Sequence, residues 1–199
     1  MDTMKYRGDQ FWKNNNVQTL TGRTATKIDF TKKQVELDGG TKIDYEKLLI
    51  ATGGKPFVPR MEGGEKSGVF TFTELSNAEG LEAKLETSKS AVVIGGGLIG
   101  VSASEALVKR GIKVTLVELK DSILNLILDK TASDIAEKVL TEAGITVITG
   151  QSVQRIMGKK DNPDSVGAVV MTDGTEIACD LVVVAIGVIP RTDLVKETA

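Results

Sequence analysis

The sequence predicts an α/β fold in which helices cover both faces of a parallel sheet and a β-meander follows. Short apolar runs alternate with segments of helical periodicity between residues 91 and 149, in the order β-α-β-α-β. Parallel strands require such crossovers, because the chain must return to the end of the sheet where the previous strand began before it starts the next one. Beyond residue 150, strand-like segments follow one another through polar turns, which is typical of an antiparallel meander.

Composition and charge exclude several classes of protein. The chain has 199 residues, of which 41% are apolar, so it can bury a core and is long enough for one or two domains. Its net charge of −2 offers no basic surface to a nucleic acid. The longest uncharged run, Ser90–Ser104, is rich in glycine and too short for a membrane span. With no signal-peptide pattern at the N-terminus, we expect a cytoplasmic protein without nucleic-acid or membrane partners.

The side-chain inventory limits the chemistry that this chain can perform. The absence of histidine excludes Ser–His and Cys–His nucleophile pairs and histidine-based metal sites. The one cysteine, Cys179, can form neither an internal disulfide nor a CxxC pair, and its apolar neighbours predict a structural thiol. No catalytic residue and no metal site are predicted. The 21 glycines favour chemistry that is carried by a bound cofactor.

Residues 1–69 are predicted to form small elements and a connector. A short polar helix is expected around Asp9–Lys13, and the apolar run Leu48–Ala51 predicts a buried strand that ends at a glycine turn. The segment Lys55–Gly68 contains two prolines and three glycines, which is typical of a connector. Further strands are predicted at Val17–Leu20, Thr24–Ile28 and Gln34–Leu37.

The elements from residue 70 onward are more regular. The continuous apolar run Ala91–Ile94 predicts a strand that is buried on both faces. Asp129 is predicted to cap a helix over residues 130–143, with Ile135, Val139 and Leu140 facing the core. The remaining helices are predicted over Glu74–Glu86 and Leu98–Arg110, and the remaining strands over Lys113–Val117, Ile145–Thr149, Ser152–Met157, Gly167–Thr172 and Leu181–Ile186, with a hairpin at Asp173-Gly174.

The segment Gly95-x-Gly97-x-x-Gly100 carries the clearest functional signal. It follows a predicted buried strand and opens a predicted helix, and Glu118 ends the next strand at close to the spacing from Gly100 that the motif requires. This is the pattern of a Rossmann-like dinucleotide-binding domain, in which Gly95 permits the tight turn and Gly97 lets the backbone approach a pyrophosphate. Gly100 lets the helix pack closely on the strand, and the helix N-terminus offers N–H groups to the phosphates.

Glu118 predicts which dinucleotide is preferred. Its carboxylate would accept hydrogen bonds from both ribose hydroxyls and would repel a 2′-phosphate, which favours NADH over NADPH. Lys120 weakens this preference slightly, because a cation two positions further along attracts a phosphate. The alternative interpretation is a glycine-rich turn that binds no ligand.

Two distant segments of the sequence resemble each other. Residues 41–56 read TKIDYEKLLIATGGKP and residues 175–190 read TEIACDLVVVAIGVIP, and an Asp-Gly turn precedes both. Chance similarity between two strand-and-turn segments is one explanation. We favour two related dinucleotide-binding halves, with the glycine loop of the first half expected before Met1. The chain would then be a fragment that holds the tail of one domain and most of a second.

Three ordered segments together resemble a known family, the FAD-dependent pyridine nucleotide–disulfide oxidoreductases. They are Tyr45–Pro56, Val92–Gly100 and Asp180–Pro190. The similarity extends from about Val17 onward and is greatest to the branch of NADH oxidases, NADH-dependent nitrite reductases and CoA-disulfide reductases. It implies a flavoprotein in which hydride passes from NADH to FAD and electrons pass on to an acceptor.

The resemblance also implies site residues and domains. Residues 1–69 would be a partial FAD-binding domain with a connector, and residues 70–199 would be the NAD-binding domain. The FAD-facing residues would be Ala51, Thr52 and Gly53, at a strand end where open α/β sheets bind ligands. A strand that merely needs a glycine exit is the alternative there and at Ala185-Ile186-Gly187. The residues that would hold NAD are Gly95, Gly96, Gly97, Leu98, Ile99, Gly100, Glu118 and, at the nicotinamide end, Gly187.

Three functional interpretations remain open at this point. The first is the NADH-binding portion of a flavoprotein oxidoreductase, whose electron acceptor is undetermined and whose homodimerisation domain would follow Ala199. The second is a module that binds NAD(H) without turnover. The third is a relative of ferredoxin or rubredoxin reductases, whose acceptor is another protein, although the nearly neutral charge gives this interpretation no support.

Overall fold

The structure, a computed structural model, describes residues 6–8 and 10–198. The chain divides into two units, one of residues 1–53 with 191–199 and the other of residues 54–190. This division differs from the boundary expected at residue 69, because the strand Gly54–Pro56 pairs with Val188–Pro190 and both lie in the second unit. The assignment of the two parts to FAD and NAD stays a prediction.

The first unit is built on a three-stranded antiparallel sheet. Its strands are β1 (Ala25–Asp29), β2 (Gln34–Leu37) and β3 (Lys42–Asp44), paired in the order β1-β2-β3. A short helix α1 (Phe11–Asn14) precedes the sheet, and a 3-10 helix at Asp193–Thr198 belongs to the same unit. The predicted helix overlaps α1, but its first residue, Asp9, lies outside the described residues.

Two strands predicted in the first unit are absent. Residues 17–20 and 48–51 are irregular, and Leu49 in the second segment is 89% exposed. The prediction of a buried strand at Leu48–Ala51 is therefore wrong for this structure. An apolar run becomes a buried strand only where neighbouring strands take up its backbone hydrogen bonds, and within the described part of the chain none pairs with either segment.

The second unit contains ten strands and three helices. The helices are α2 (Leu75–Leu85), α3 (Leu98–Val108) and α4 (Lys130–Glu142). The strands are β4 (Gly54–Pro56), β5 (Val69–Thr71), β6 (Ser90–Ile94), β7 (Lys113–Val117), β8 (Ile145–Ile148), β9 (Val153–Gly158), β10 (Val166–Met171), β11 (Glu176–Ala178), β12 (Leu181–Val184) and β13 (Val188–Pro190).

A five-stranded parallel sheet forms the centre of this unit. Its strand order is β5-β12-β6-β7-β8, and β12 pairs in parallel with both β5 and β6. All four residues of β12 are buried, as are Ala91–Ile94 of β6, which agrees with the continuous apolar runs. The predicted Rossmann-like α/β class is confirmed.

The two faces of the parallel sheet are covered differently. On one face, Val93 and Leu116 pack in a cluster with residues of the three helices, including Leu81, Leu107 and Leu140. On the other face, alternate strand residues pack against the antiparallel meander β9-β10-β11; these residues are Val92, Ile94, Val117, Val182 and Val184. The expectation of helices on both faces was therefore wrong. The meander was predicted, but periodicity within each strand does not reveal which element covers which face.

For helix α4, the helical periodicity predicted the buried face only in part. Asp129 caps the helix as predicted, since its carboxylate accepts a hydrogen bond from the Ala132 N–H at 2.8 Å. Leu140 is buried as predicted, whereas Ile135 is 63% and Val139 57% exposed. The buried stripe instead contains Ser133, because spacings of three and four residues place it on the face of Leu140.

The internal repeat is visible in strand register. In the first unit, Gln34 pairs with Asp44 and Val35 with Ile43. When the offset between residues 41 and 175 is added to Val35 and Ile43, it gives Val169 and Ile177. These two residues also pair with each other, between β10 and β11. A shared register over consecutive pairs supports two related halves more strongly than the similarity of the sequences does, since a slip of one residue would exchange the faces of the strand.

Candidate dinucleotide-binding site

The turn between β6 and α3 depends on its glycines. Gly95 has a φ of +110°, and a Cβ there would lie 2.5 Å from the carbonyl oxygen of Ala185. A Cβ at Gly100 would lie 1.8 Å from the carbonyl oxygen of Gly95, so only glycine lets the first turn of α3 approach the strand end. These two positions have the roles that the sequence predicted for them.

Gly97 differs from its neighbours because its surroundings are open. It is the N-cap of α3, with ordinary extended backbone, and no heavy atom lies within 4 Å of the position of a Cβ. The first N–H groups of any helix lack intrahelical acceptors, and within the described residues no side chain caps those of α3. The open space at Gly97 and the N–H groups at the start of α3 are the features that an anion site at a helix N-terminus would require.

Glu118, directly after β7, is held against the glycine turn. Its Oε2 accepts a hydrogen bond from the Gly96 N–H at 2.6 Å, and its Oε1 accepts one from the Lys120 N–H at 2.8 Å. Each carboxylate oxygen keeps capacity for another hydrogen bond. The structure therefore brings Glu118 to the Gly95–Gly100 segment, and its predicted contact with a ribose stays a prediction.

Sequence reasoning missed a segment that contacts the same turn. The Leu124 N–H donates to the carbonyl oxygen of Gly96 at 2.8 Å, and Leu124 has a φ of +52°. The preceding carbonyl, that of Ile123, accepts a hydrogen bond from the buried Ser133 hydroxyl at 2.8 Å. A left-handed leucine has no sequence signal, because glycine, asparagine and aspartate usually occupy this conformation.

Gly187 follows β12 at the carboxyl end of the same parallel sheet. It has a φ of +139° with no heavy atom near the position of a Cβ, and its carbonyl accepts a hydrogen bond from the Phe57 N–H at 2.9 Å. Because β12 is the neighbour of β6 in the sheet, Gly187 and the glycine turn both follow adjacent strand ends.

The residues predicted to face FAD lie in the first unit. Ala51, Thr52 and Gly53 are exposed, the Thr52 hydroxyl donates to the carbonyl of Arg191 at 2.8 Å, and Gly53 has a φ of +66°. The Gly53 carbonyl in turn accepts from the Arg191 N–H at 2.9 Å. These contacts fix the turn after the predicted strand but do not themselves test its ligand.

Cys179 and Asp180 precede β12, and the pKa values of their side chains are shifted in opposite directions. Cys179 is 4% exposed, and burial, with the adjacent Asp180 charge, raises the pKa of its thiol to about 12. Burial alone would also raise the pKa of Asp180, but hydrogen bonds from the Lys89 N–H, the Lys159 ammonium and the Ser90 hydroxyl outweigh it and lower that pKa. A protonated, buried Cys179 supports the interpretation as a structural thiol.

Neither a metal centre nor a membrane span is found in residues 6–8 and 10–198. No cluster of three or more cysteine, aspartate or glutamate side chains is arranged to hold a metal ion there. In the same part of the chain, no helix is both long and apolar enough to cross a membrane.

Comparison with known proteins gives the family. The sequence profile described as pyridine nucleotide-disulphide oxidoreductase matches residues 6–199. The chain belongs to this family. This agrees with the resemblance carried by the three glycine-containing segments.

Individual relatives match nearly the whole chain. It is 33% identical to a nitrite reductase [NAD(P)H] of Bacillus subtilis, covering 94% of this chain and 23% of the relative. It is 35% identical to the epsilon subunit of an NADH-dependent phenylglyoxylate dehydrogenase of Aromatoleum evansii, covering 94% and 44%. The crystal structure of a ferredoxin reductase from Rhodopseudomonas palustris superposes with a TM-score of 0.91 at 26% identity, covering 98% of this chain and 48% of the other. The chain thus spans less than half the length of each.

Proposed function

We propose that this chain is the NADH-binding part of a flavoprotein oxidoreductase that passes hydride from NADH to FAD and electrons on to an acceptor. The observation that carries the proposal is the uncapped N-terminus of α3, open at Gly97 and flanked by the anchored carboxylate of Glu118. Family membership supports the same function. The names of relatives include reductases of nitrite and of ferredoxin, so the acceptor is the part of the function that varies among them.

The glycine turn fits the pyrophosphate of a dinucleotide. A phosphate oxygen could approach Gly97 closely because no side chain occupies the space, and the N–H groups of Leu98, Ile99 and Gly100 would lie nearby as donors. The positive end of the α3 dipole adds to this attraction. If this turn bound no ligand, nothing would compensate for the missing side-chain cap at this helix end.

Glu118 fits the adenosine ribose. Two backbone N–H groups already hold its carboxylate in one position. Hydrogen bonds from the ribose hydroxyls would therefore cost little further side-chain entropy. A 2′-phosphate would meet this fixed negative charge, so NADH should bind more tightly than NADPH. The open space at Gly187 supports its role at the nicotinamide end of the site.

The FAD side of the proposal rests on Ala51, Thr52 and Gly53. In the internal repeat these residues correspond to Ala185, Ile186 and Gly187 at the proposed NAD site. NADH and FAD supply the redox chemistry when bound, and the contribution of the protein is to bind and orient them. A homodimer and a cytoplasmic location are parts of this proposal for the parent protein.

Calorimetric titration with NADH and NADPH tests the proposal directly. We expect one NADH per chain and NADPH binding weaker by about tenfold or more, because the 2′-phosphate meets Glu118. Gly97→Val should fold normally, since its backbone suits valine and the space is open, but it should abolish binding because the side chain fills that space.

Gly8→Val is the matched control for this titration. Gly8 also has open space at the position of a Cβ and lies outside the second unit, so the substitution should leave NADH binding unchanged. Normal NADH binding by a folded Gly97→Val protein, or no binding of either nucleotide by the unmodified chain, would contradict the proposed function.

A further inference from the structure

Two peptide groups in series connect a buried serine of α4 to the glycine turn. The Ser133 hydroxyl donates to the carbonyl of Ile123, and the N–H of the same peptide group, that of Leu124, donates to the carbonyl of Gly96. Both hydrogen bonds are 2.8 Å long. The carbonyl of Gly96 shares its peptide group with the N–H of Gly97. The connection therefore runs from Ser133 to an N–H at the proposed phosphate site.

Because the peptide group is planar, these hydrogen bonds also fix the direction of the Gly97 N–H. In a trans peptide the carbonyl and the following N–H point in opposite directions. Fixing the Gly96 carbonyl towards Leu124 thus directs the Gly97 N–H away from Leu124. Within the part of the chain that the structure describes, that N–H has no protein acceptor. Hydrogen-bonded peptides in series also polarise one another, which strengthens the last donor.

The backbone of Leu124 indicates that this arrangement is imposed by its surroundings. A φ of +52° is unfavourable for a residue with a branched side chain, and such conformations persist only where other contacts determine them. Ser133 is fully buried and Ile123 is fully buried beside it, with Ile123 Cγ2 3.0 Å from the position of a Cβ at Gly96. The glycine turn is therefore in close contact with the segment that Ser133 holds.

We propose that Ser133 is a positioning residue that orients the Gly97 N–H towards the pyrophosphate, acting through the Ile123–Leu124 and Gly96–Gly97 peptide groups. This inference rests on the proposed function, because the ligand is the dinucleotide proposed above. Ser133 itself contacts no ligand. Its effect is to present the donor before the ligand arrives, which lowers the ordering cost of binding.

The test compares Ser133→Ala with the unmodified chain in two measurements. Hydrogen exchange of the Leu124 amide, followed by NMR without nucleotide, should become faster by about fivefold or more, because the Ile123 carbonyl of the same peptide group is no longer held by Ser133. The dissociation constant for NADH, measured by calorimetry well below both unfolding temperatures, should rise about three- to tenfold. A purely structural serine would lower the unfolding temperature and leave the affinity of the folded protein unchanged.

Two further variants separate orientation from stability. Thr141→Ala removes a hydroxyl-to-carbonyl hydrogen bond of 2.9 Å from the same helix, far along the chain from the turn, and should change neither measurement. Leu140→Ala removes a buried apolar side chain from the same helix and leaves every hydrogen bond between Ser133 and Gly96 in place. It should lower the unfolding temperature while NADH affinity stays within about twofold.

The outcomes distinguish this proposal from the proposed function. Unchanged exchange at Leu124, or unchanged NADH affinity despite faster exchange, would overturn the role of Ser133. If the unmodified chain fails to bind NADH, the proposed function fails and this role fails with it, even where the exchange result shows that Ser133 orders the turn. If Ser133→Ala weakens NADH binding and Leu140→Ala does not, both stand.

Discussion

Individual residues at the glycine turn do separate tasks, and the structure distinguishes them by what surrounds each one. Gly95 and Gly100 are excluded from carrying side chains by backbone atoms, whereas Gly97 has space that nothing in the described chain fills. A position that could hold a side chain sterically, yet carries none, is the one where a ligand explains the glycine best. Substitutions at Gly97 should therefore affect binding, and substitutions at Gly95 should affect folding.

Glu118 should contribute to affinity and to nucleotide preference at once. We expect Glu118→Ala to weaken NADH binding by about tenfold or more and to reduce the preference over NADPH, because the ribose loses a carboxylate acceptor and the 2′-phosphate loses a repelling charge. Calorimetry with both nucleotides measures the two effects. Glu105→Ala removes an equal charge from an exposed position of α3 and should change neither. Unaltered NADH affinity in Glu118→Ala would contradict the ribose assignment.

Cys179 should make the protein sensitive to alkaline pH. The pKa of its thiol is raised from 9.0 to about 12 in the folded protein, so the folded state holds its proton more tightly than the unfolded state does. That stabilisation is fully present below the unfolded pKa and is lost as the pH rises from about 9 towards 12, with a slope of up to about 1.4 kcal/mol per pH unit.

Urea unfolding at several pH values measures this slope. Cys179→Ala should lower stability near neutral pH, because it leaves a cavity, but its stability should fall less steeply above pH 9 than that of the unmodified chain. All other side chains are the same in both proteins, so the difference between the two slopes isolates the thiol. Parallel slopes would show that the thiol does not stay protonated.

At the scale of elements, helix α4 matters because it links the core to the glycine turn. Its start is fixed by the Asp129 cap, one turn before Ser133, and Ser133 reaches the segment that contacts Gly96. The exposed Ile135 and Val139 show that hydrophobic spacing alone assigned the inward face of this helix incorrectly. The inward face instead contains the buried Ser133, whose hydroxyl donates to the carbonyl of Ile123.

Removing the cap of α4 should destabilise the second unit. Asp129→Ala leaves the Ala132 N–H without its acceptor and should lower the free energy of unfolding by about 0.5–2 kcal/mol. Asp134→Ala, on the same helix, removes only an exposed ion pair with Lys130 and should cost less than about 0.5 kcal/mol. Denaturant unfolding of the two variants side by side gives the comparison, and equal losses would rule out the capping role.

For the whole molecule, the sequence and the structure suggest different boundaries for the part of the chain that contains the glycine turn. Both hydrophobic clusters, the glycine turn and Glu118 lie within residues 54–190, and the ends of that range meet where Gly54 pairs with Pro190. A fragment that starts at residue 70 lacks β4 and the first residue of β5. It also lacks the bridges that join Glu62 to Arg155 and Ser67 to Ser165.

Two fragments test which boundary describes a folding unit. Residues 54–190 produced alone should unfold cooperatively and bind NADH like the unmodified chain, since the contacts described above are retained. Residues 70–199 should unfold at a temperature lower by about 5 °C or more, because β13 loses its partner and β5 is shortened. Calorimetric unfolding of both decides the matter. A fragment 70–199 as stable as 54–190 would show that the boundary at residue 69 was adequate.

The internal repeat also belongs to the scale of the whole molecule. The similarity of residues 41–56 to residues 175–190 predicted that Leu48–Ala51 and β12 are equivalent segments. The meanders before them share strand register, yet only β12 is a buried strand. Similar local preferences thus gave different structures, because β12 lies between β5 and β6 whereas no strand in the described chain pairs with Leu48–Ala51.

The sequence by itself determined the elements whose signals are local. These elements are the strand, glycine turn and helix at residues 91–108, the spacing to Glu118 and the cap at Asp129. Each depends on residues that are close together in the sequence, and each was predicted correctly. Only the tertiary structure decided that the meander covers one face of the sheet, that Ile135 is exposed, and that Ser133 is connected to Gly96 through Leu124. These features depend on which distant segments meet, and hydrogen bonds between distant segments leave no periodicity in the sequence from which to predict them.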